Sequence, residues 1–374
     1  MNNKYPCILV GGYSGAIISL SLEDGENAKS IQEFKYLKLP HVNRLALAPL
    51  GNLLVASDQK FTQFQFCLTN YGQSEYNHIH HKNITDIVCR FPHLNGSQEK
   101  NPEYIIYCCS EDCKWSSWKS NIECEKKVIT SSPLNTIAIS HSDEEKKAKV
   151  YVGNDRGDVE VYFSDKNLYE ICCKSINLSN LPIRSIALAK DDQRLVVACH
   201  DGNVYIVLVG PQSNLASATN SGAQVSMASG STSSDIFRPK LIKDTEIKRA
   251  HDDVILRVVI SPDQNTFITT SADSSAKIWN FSKEAGYSDK PKFILKERSQ
   301  CGWVWDASFT NDSKYVVTGG DDCIVRKWST ETGQLIFKTD LDERSRSIIK
   351  QITALTIYYG DMTDDKNKNK NGNE

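Results

Sequence analysis

The 374-residue chain has no apolar run of the roughly 18 residues that a membrane-spanning helix needs. Its opening, MNNKYPCILVGG, lacks the basic start and long apolar stretch of a secretory signal. Neither sign of charge is in excess: 44 Lys and Arg stand against 46 Asp and Glu, a formal charge of −2. That balance argues against nucleic acid, whose phosphates call for clustered cations, and against a polybasic membrane patch. There is no Gly-x-x-x-x-Gly-Lys-Ser/Thr phosphate loop, and the pairs Gly11-Gly12 and Gly319-Gly320 end apolar runs that no helix follows. GGYSGA (11–16) lacks the glycine two residues beyond Ser14 that a nucleophile elbow requires. A cytoplasmic or nuclear, reducing home is expected. Most of the twelve Cys then read as small buried hydrophobes, as in ICCKSI (171–176) and VVACH (196–200). His78, His80 and His81 with Cys108, Cys109 and Cys113 are the richest set of metal-ligand types, but paired C-x-x-C spacing is missing. No metal or cofactor is expected.

What the sequence has is repetition. HDDVILRVVISPDQNTFITTSADSSAKIWNF (251–281) runs through apolar alternation, a polar turn, a short apolar run, a second turn and another alternation, which is a β-meander. WVWDASFTNDSKYVVTGGDDCIVRKWSTETG (303–333) repeats that order, with Trp328 in the place of Trp279. Fixing the register brings out weaker copies at 42–64, 84–118, 134–162 and 183–207. The seventh is split: 8–20 supplies second and third strands, and 352–360 the missing first. Pairing the chain ends in one blade closes a ring and removes two exposed sheet edges. The expected fold is all-β, a seven-bladed WD-repeat β-propeller over residues 1–360. The residues closing the third strands are Leu20, Phe64, Trp118, Tyr162, Val207, Trp279 and Trp328. Where their spacing exceeds the roughly 40–45 residues of a four-stranded blade, PHLNGSQEKNPE (92–103) lengthens a hairpin in the third blade. A Ser/Ala/Gly-rich insertion at about 209–245, with too little apolar surface to pack, follows the fifth blade. Residues 361–374 read as a disordered tail.

Asp112, Asp201, Asp273 and Asp322 each lie six residues before the strand-closing position, where a carboxylate can accept N–H groups of a tight turn. His251 is placed to join Thr269 or Ser271 and Trp279 in a buried polar network. These groups serve architecture. Aligning the blades also gives a ring of residue pairs beside the central channel: His41 and Asn43, Asn83 and Thr85, Pro133 and Asn135, Pro182 and Arg184, Val254 and Leu256, Trp303 and Trp305, Gln351 and Thr353. Most are small or polar, but one pair is two tryptophans. The strand-closing positions are filled separately by Trp279 and Trp328, so the repeat does not demand Trp303 or Trp305. They read either as packing under a rim loop or as an exposed anchor for a protein partner.

The run CGWVWDASFTNDSKYVVTGGDDCIVRKWSTETGQL (301–335) resembles the last complete blade of the G-protein-beta-like WD-repeat subunits of target-of-rapamycin (TOR) kinase complexes, through Gly-Trp-x-Trp before the first strand and Glu-Thr-Gly after the third. HDDVILRVVISPDQNTFITTSADSSAKIW, KNITDI with SEDCKWSSW, and HVNRLAL support the resemblance, which is faint in blades 1, 4 and 5. It departs from the family in lacking Trp at four strand-closing positions and in its two insertions. The resemblance implies a non-catalytic scaffold that stabilises a TOR kinase in TOR complexes 1 and 2, docking on an insertion in the C-terminal lobe of the kinase domain and reaching the other complex subunits through it. It implies a cytoplasmic protein, peripheral on endomembranes through the complex. Carried over residue by residue, the partner-binding rim comprises Trp303, Trp305, His41 and Asn43, with Asn83, Asn135 and Gln351 as ring neighbours. The alternative is an adaptor of another assembly, such as a ubiquitin-ligase substrate receptor. A propeller enzyme acting at the channel is disfavoured, because the ring offers one His and no carboxylate.

Overall fold

The structure, a computed structural model, describes residues 7–21, 30–34, 41–48, 52–57, 60–65, 73–75, 80–90, 104–120, 123–141, 148–163, 174–211, 239–281, 287–297, 302–340 and 349–359. Their strands form seven four-stranded antiparallel sheets, the arrangement of a β-propeller. The innermost strands are, in ring order, Ile352–Tyr358, Arg44–Ala48, Ile84–Arg90, Leu134–Ile139, Ile183–Leu188, Ile255–Ile260 and Val304–Phe309, and each touches the next around the ring. Closure comes from the chain ends. Cys7–Gly12 pairs on one side with Ile17–Ser21 and on the other with Ile352–Tyr358, placing Leu9 opposite Thr356.

Period-two alternation explains why the sheets stack as they do. In the closing sheet Ile8, Val10, Ile18 and Leu20 pack with Val317 and Val325 of the last sheet, while Cys7, Leu9 and Ile17 pack with Val42, Leu45, Leu53 and Val55 of the second. The other five junctions are filled the same way, so the buried hydrophobes form seven clusters, each spanning two neighbouring sheets. Burying one such Val, Leu or Ile stabilises the fold by about 1.5–3 kcal/mol. Because both faces of each blade are covered, second strands do not alternate in burial; Arg194–Cys199 and Thr266–Ser271 are each buried throughout.

The fourth, outermost strands were not marked out in the repeat. They include Cys124–Ile129, Lys174–Asn177, Phe293–Leu295 and Leu335–Asp340, and the solvent they face removes the apolar alternation. The Ser-rich insertion is narrower than 209–245 and differently placed. Val204–Pro211 and Pro239–Ile247 pair along their length, so the insertion lies within the fifth blade, between its third and fourth strands. Residues 212–238, the 92–103 hairpin insertion and the 361–374 tail lie outside the described residues, as does His78.

Three of the four aspartates act at turns as expected: Asp201, Asp273 and Asp322 accept the N–H groups of Asn203, Ser275 and Ile324 at 2.9, 2.9 and 3.1 Å. Asp112 instead accepts the His81 amide from the link between blades, at 3.0 Å, and pairs with His80. In the sixth blade His251 Nδ1 lies 2.8 Å from Asp273 and Nε2 2.8 Å from Thr269, whose hydroxyl accepts Trp279 Nε1–H at 2.9 Å. His80, Asp112, Ser116 and Trp118 repeat the network in the third blade. Cys7, Cys108, Cys109, Cys199 and Cys323 are buried thiols outside any disulfide, and burial pushes Cys7 up to about 11 and Cys108 to about 12.

Candidate partner-binding site at the channel mouth

The site is built by irregularities at one level of the inner strands. Pairing with the second strand jumps from Ile84 to Asp86, Leu134 to Thr136, Ile183 to Ser185, Ile255 to Arg257 and Val304 to Asp306. In the closing sheet it jumps from Ile352 to Ala354. Each jump is a β-bulge, which leaves one residue unpaired and re-aims its side chain. The unpaired residues are Thr85, Asn135, Arg184, Leu256, Trp305 and Thr353. With Asn43, which enters the second sheet at the same level, they line one cavity of about 190 Å³ at the channel mouth. Asn83, Arg44 and Glu111 complete its wall.

The residue after each bulge, with Arg44 after Asn43 in the unbulged second sheet, forms the floor: Arg44, Asp86, Thr136, Ser185, Arg257, Asp306 and Ala354. Arg44 bridges Asp86 and Asp306 at 3.1 and 3.3 Å, and Arg257 reaches Asp306 at 3.4 Å. Burial works against the Arg44 charge, but Asp86 and Asp306 outweigh it and hold its pKa above the ordinary value. Arg257, which also faces Arg44, is held below its ordinary value by burial first. The floor further joins blades. Asp86 accepts the Ile137 amide, Thr136 the Ile186 amide, Ser185 the Val258 amide and Asp306 the Leu355 amide, at 2.9–3.2 Å. Two cations on two anions make the channel floor a neutral plug, and the alternation of charge along the aligned inner strands is the signal that could have revealed it.

Above the floor the six bulge residues and Asn43 divide. Four donate to a main-chain carbonyl of the next blade: Asn43 to Ile84 at 2.8 Å, Thr85 to Leu134 at 2.9 Å, Asn135 to Ile183 at 3.0 Å and Thr353 to Val42 at 2.6 Å. The other three, Arg184, Leu256 and Trp305, make no such bond among the described residues and occupy consecutive blades. Trp305 is fixed instead by Asp321, which accepts its indole N–H at 2.6 Å and the Trp303 amide at 2.9 Å. The Trp303 ring lies tilted on Trp305, centroids 5.1 Å apart, and is 43% exposed. Trp305 is thus pinned, while Trp303 stands out from the rim. Gly302 precedes them with φ +87°, and a Cβ there would lie 2.6 Å from the Asp321 Cβ, so the turn that carries the pair needs glycine.

Of the seven rim residues expected from sequence, Asn43, Asn83, Asn135 and Trp305 line the cavity. Trp303 sits beside it on Trp305. His41 stacks on the exposed Tyr13, centroids 6.2 Å apart, and the Gln351 carbonyl accepts the Tyr13 amide at 3.0 Å, so these two flank the mouth through Tyr13. Among the described residues no group of three or more metal-ligating side chains assembles, and no helix is long and apolar enough to cross a membrane.

The WD domain, G-beta repeat, matches this chain twice, at residues 244–280 and 290–329. Protein LST8 homolog of Drosophila pseudoobscura pseudoobscura is 25% identical over 194 residues, 52% of this chain and 50% of that protein. Target of rapamycin complex subunit LST8 of Mus musculus is 25% identical over 209 residues, 54% of each. Apoptotic protease-activating factor 1 of Rattus norvegicus is 35% identical over 86 residues, 23% of this chain but 6% of that protein. The chain thus spans about half or less of the curated relatives it matches. These likenesses agree with a WD-repeat protein of the kind that mediates contacts between proteins.

Proposed function

We propose that this chain is a non-catalytic scaffold whose channel-mouth face docks on the C-terminal lobe of a TOR-type kinase. The observation that carries the reading is the Trp303–Trp305 pair: two large aromatic side chains that the repeat does not require, one pinned by Asp321 and the other offered to solvent beside the cavity. Aromatic anchors set rigidly at the centre of a face are the residue type that dominates binding energy at protein interfaces. The two LST8 relatives, one named a subunit of the target of rapamycin complex, support the choice of partner. An adaptor in another assembly would present the same face to a different protein.

Replacing both residues, Trp303→Ala with Trp305→Ala, is expected to weaken the kinase complex by about 2 kcal/mol or more while the propeller stays folded. Affinity purification of wild type and variant, with the stoichiometric partner identified by mass spectrometry, checks it. Undiminished yield of the kinase from the variant would remove the rim assignment; a different stoichiometric partner would remove the kinase.

A further inference from the structure

We propose that Arg184 is the receptor for an acidic side chain of the docked partner, an Asp or Glu on a loop that enters the channel mouth. The inference rests on the reading of this face as the docking face. At the Arg184 level the neighbours Asn43, Thr85, Asn135 and Thr353 are consumed in joining blades, whereas Arg184 joins nothing. Its Nε is buried with no hydrogen-bond partner, and among the described residues its guanidinium makes no ion pair. Burial pulls its pKa down and outweighs the nearby Asp155, with Arg44 lowering it and Glu111 raising it to a lesser extent; an arginine nonetheless stays protonated. A half-buried guanidinium with an unpartnered Nε and no ion pair adds little to the stability of the free chain.

Size and charge select the occupant. A cavity of about 190 Å³ is smaller than the roughly 300–1,000 Å³ of small-molecule sites and suits one protein side chain. Asp86 and Asp306 neutralise Arg44 and Arg257 beneath, which leaves Arg184 as the one unpaired cation of the wall, with Glu111 opposing further negative charge. One cation fits a carboxylate, which a guanidinium binds through two parallel N–H groups; a phosphate dianion would meet too little positive charge. Leu256 and Trp305, the adjoining open positions, offer apolar wall to the methylenes of the same side chain.

The test uses the full chain co-expressed with the TOR kinase domain of the same organism. Arg184→Gln should lower affinity for the kinase at least tenfold while leaving the melting temperature of the free chain unchanged or raised. Arg184→Lys keeps the cation and supplies an amine, which carbodiimide couples as an amide to any carboxylate in contact. Mass spectrometry should then find the introduced amine joined to an Asp or Glu of the kinase. Kinase retained by Arg184→Gln at wild-type affinity, the amine of Arg184→Lys joined only to Glu111 or Asp155 of its own chain, or a lowered melting temperature for Arg184→Gln would each overturn the inference. Inorganic phosphate that stabilises the wild type and not Arg184→Gln would also overturn it, by showing a free-anion site. If the Trp303→Ala, Trp305→Ala variant still loses the kinase in those cases, the docking face stands and only the role of Arg184 falls; if it too retains the kinase, the docking face falls with it.

Discussion

The channel mouth has two arcs built at the same level of the inner strands and used differently. In blades 1 to 4 the residue at that level is Thr353, Asn43, Thr85 or Asn135, short and polar, and its side chain closes a bond to the next blade. In blades 5 to 7 the equivalent residues are Arg184, Leu256 and Trp305, too long or too apolar to make that bond, and they line the cavity without joining blades. Equivalent positions with divergent side chains separate what the ring needs from what it carries. The first arc commits its polar groups to the frame, and the second places larger side chains at the channel mouth.

Beneath both arcs the charged floor is shared, and breaking it should have the largest effect. Asp86 accepts Arg44, the Thr136 hydroxyl and the Ile137 amide, at 3.0–3.2 Å and wholly out of solvent. Asp86→Ala leaves Arg44 with Asp306 alone and deprives the Thr136 hydroxyl and the Ile87 and Ile137 amides of their buried acceptor, so it is expected to destabilise the chain by about 3–5 kcal/mol, read as the denaturant midpoint. A loss below about 1 kcal/mol would mean that the floor behaves as a solvated ion pair and that the arcs rest on something else.

The fold was legible because each blade repeats one apolar pattern, and because both faces of each sheet are buried, so a slip of register would turn every apolar side chain the wrong way. The outer strands were not, since half-exposed segments such as CEKKVI carry no alternation to read. The ring emerged from alignment because its residues follow the same buried apolar position in every blade. The bulge that aims them left no mark, for Thr85-Asp86 reads like any continuation of a strand. Arg184 was placed in the ring but looked like an ordinary polar member, and only the bonds made by its counterparts single it out. Asp321, which pins the tryptophan pair, is separated from it by a whole hairpin and was missed.

Acid should not distinguish the arcs, because each half of the ring carries one buried histidine network: His80 in blade 3 and His251 in blade 6. Burial outweighs the neighbouring Asp in both and lowers each pKa below the ordinary 6.5. The unfolded chain therefore binds these protons first. Stability is full above pH 6.5 and declines below it, by at most about 1.4 kcal/mol per pH unit for each histidine. A second decline follows below the ordinary carboxylate value of 3.8, because Asp112 and Asp273 are both held lower in the folded chain. Chemical denaturation between pH 7 and 5 checks the first decline, and His80→Gln and His251→Gln should each remove about half of its slope. A variant that leaves the slope intact would show that its histidine is not the group titrating.

The finest test sets one residue of each arc against the other in the free chain. Thr353→Val keeps the shape of the side chain and deletes the hydroxyl that reaches the Val42 carbonyl at 2.6 Å and the Gly11 carbonyl at 3.3 Å, for an expected loss of about 1 kcal/mol. Trp303→Ala removes a far larger side chain, yet one that is 43% exposed and lies on Trp305, and the expected change is within about 0.5 kcal/mol. Side-chain size alone predicts the reverse order. Thermal melts of the two single variants decide between them: if Trp303→Ala proves the more damaging, the tryptophan belongs to the frame, and the division of the ring into a joining arc and an open arc fails at the residue that most conspicuously suggested it.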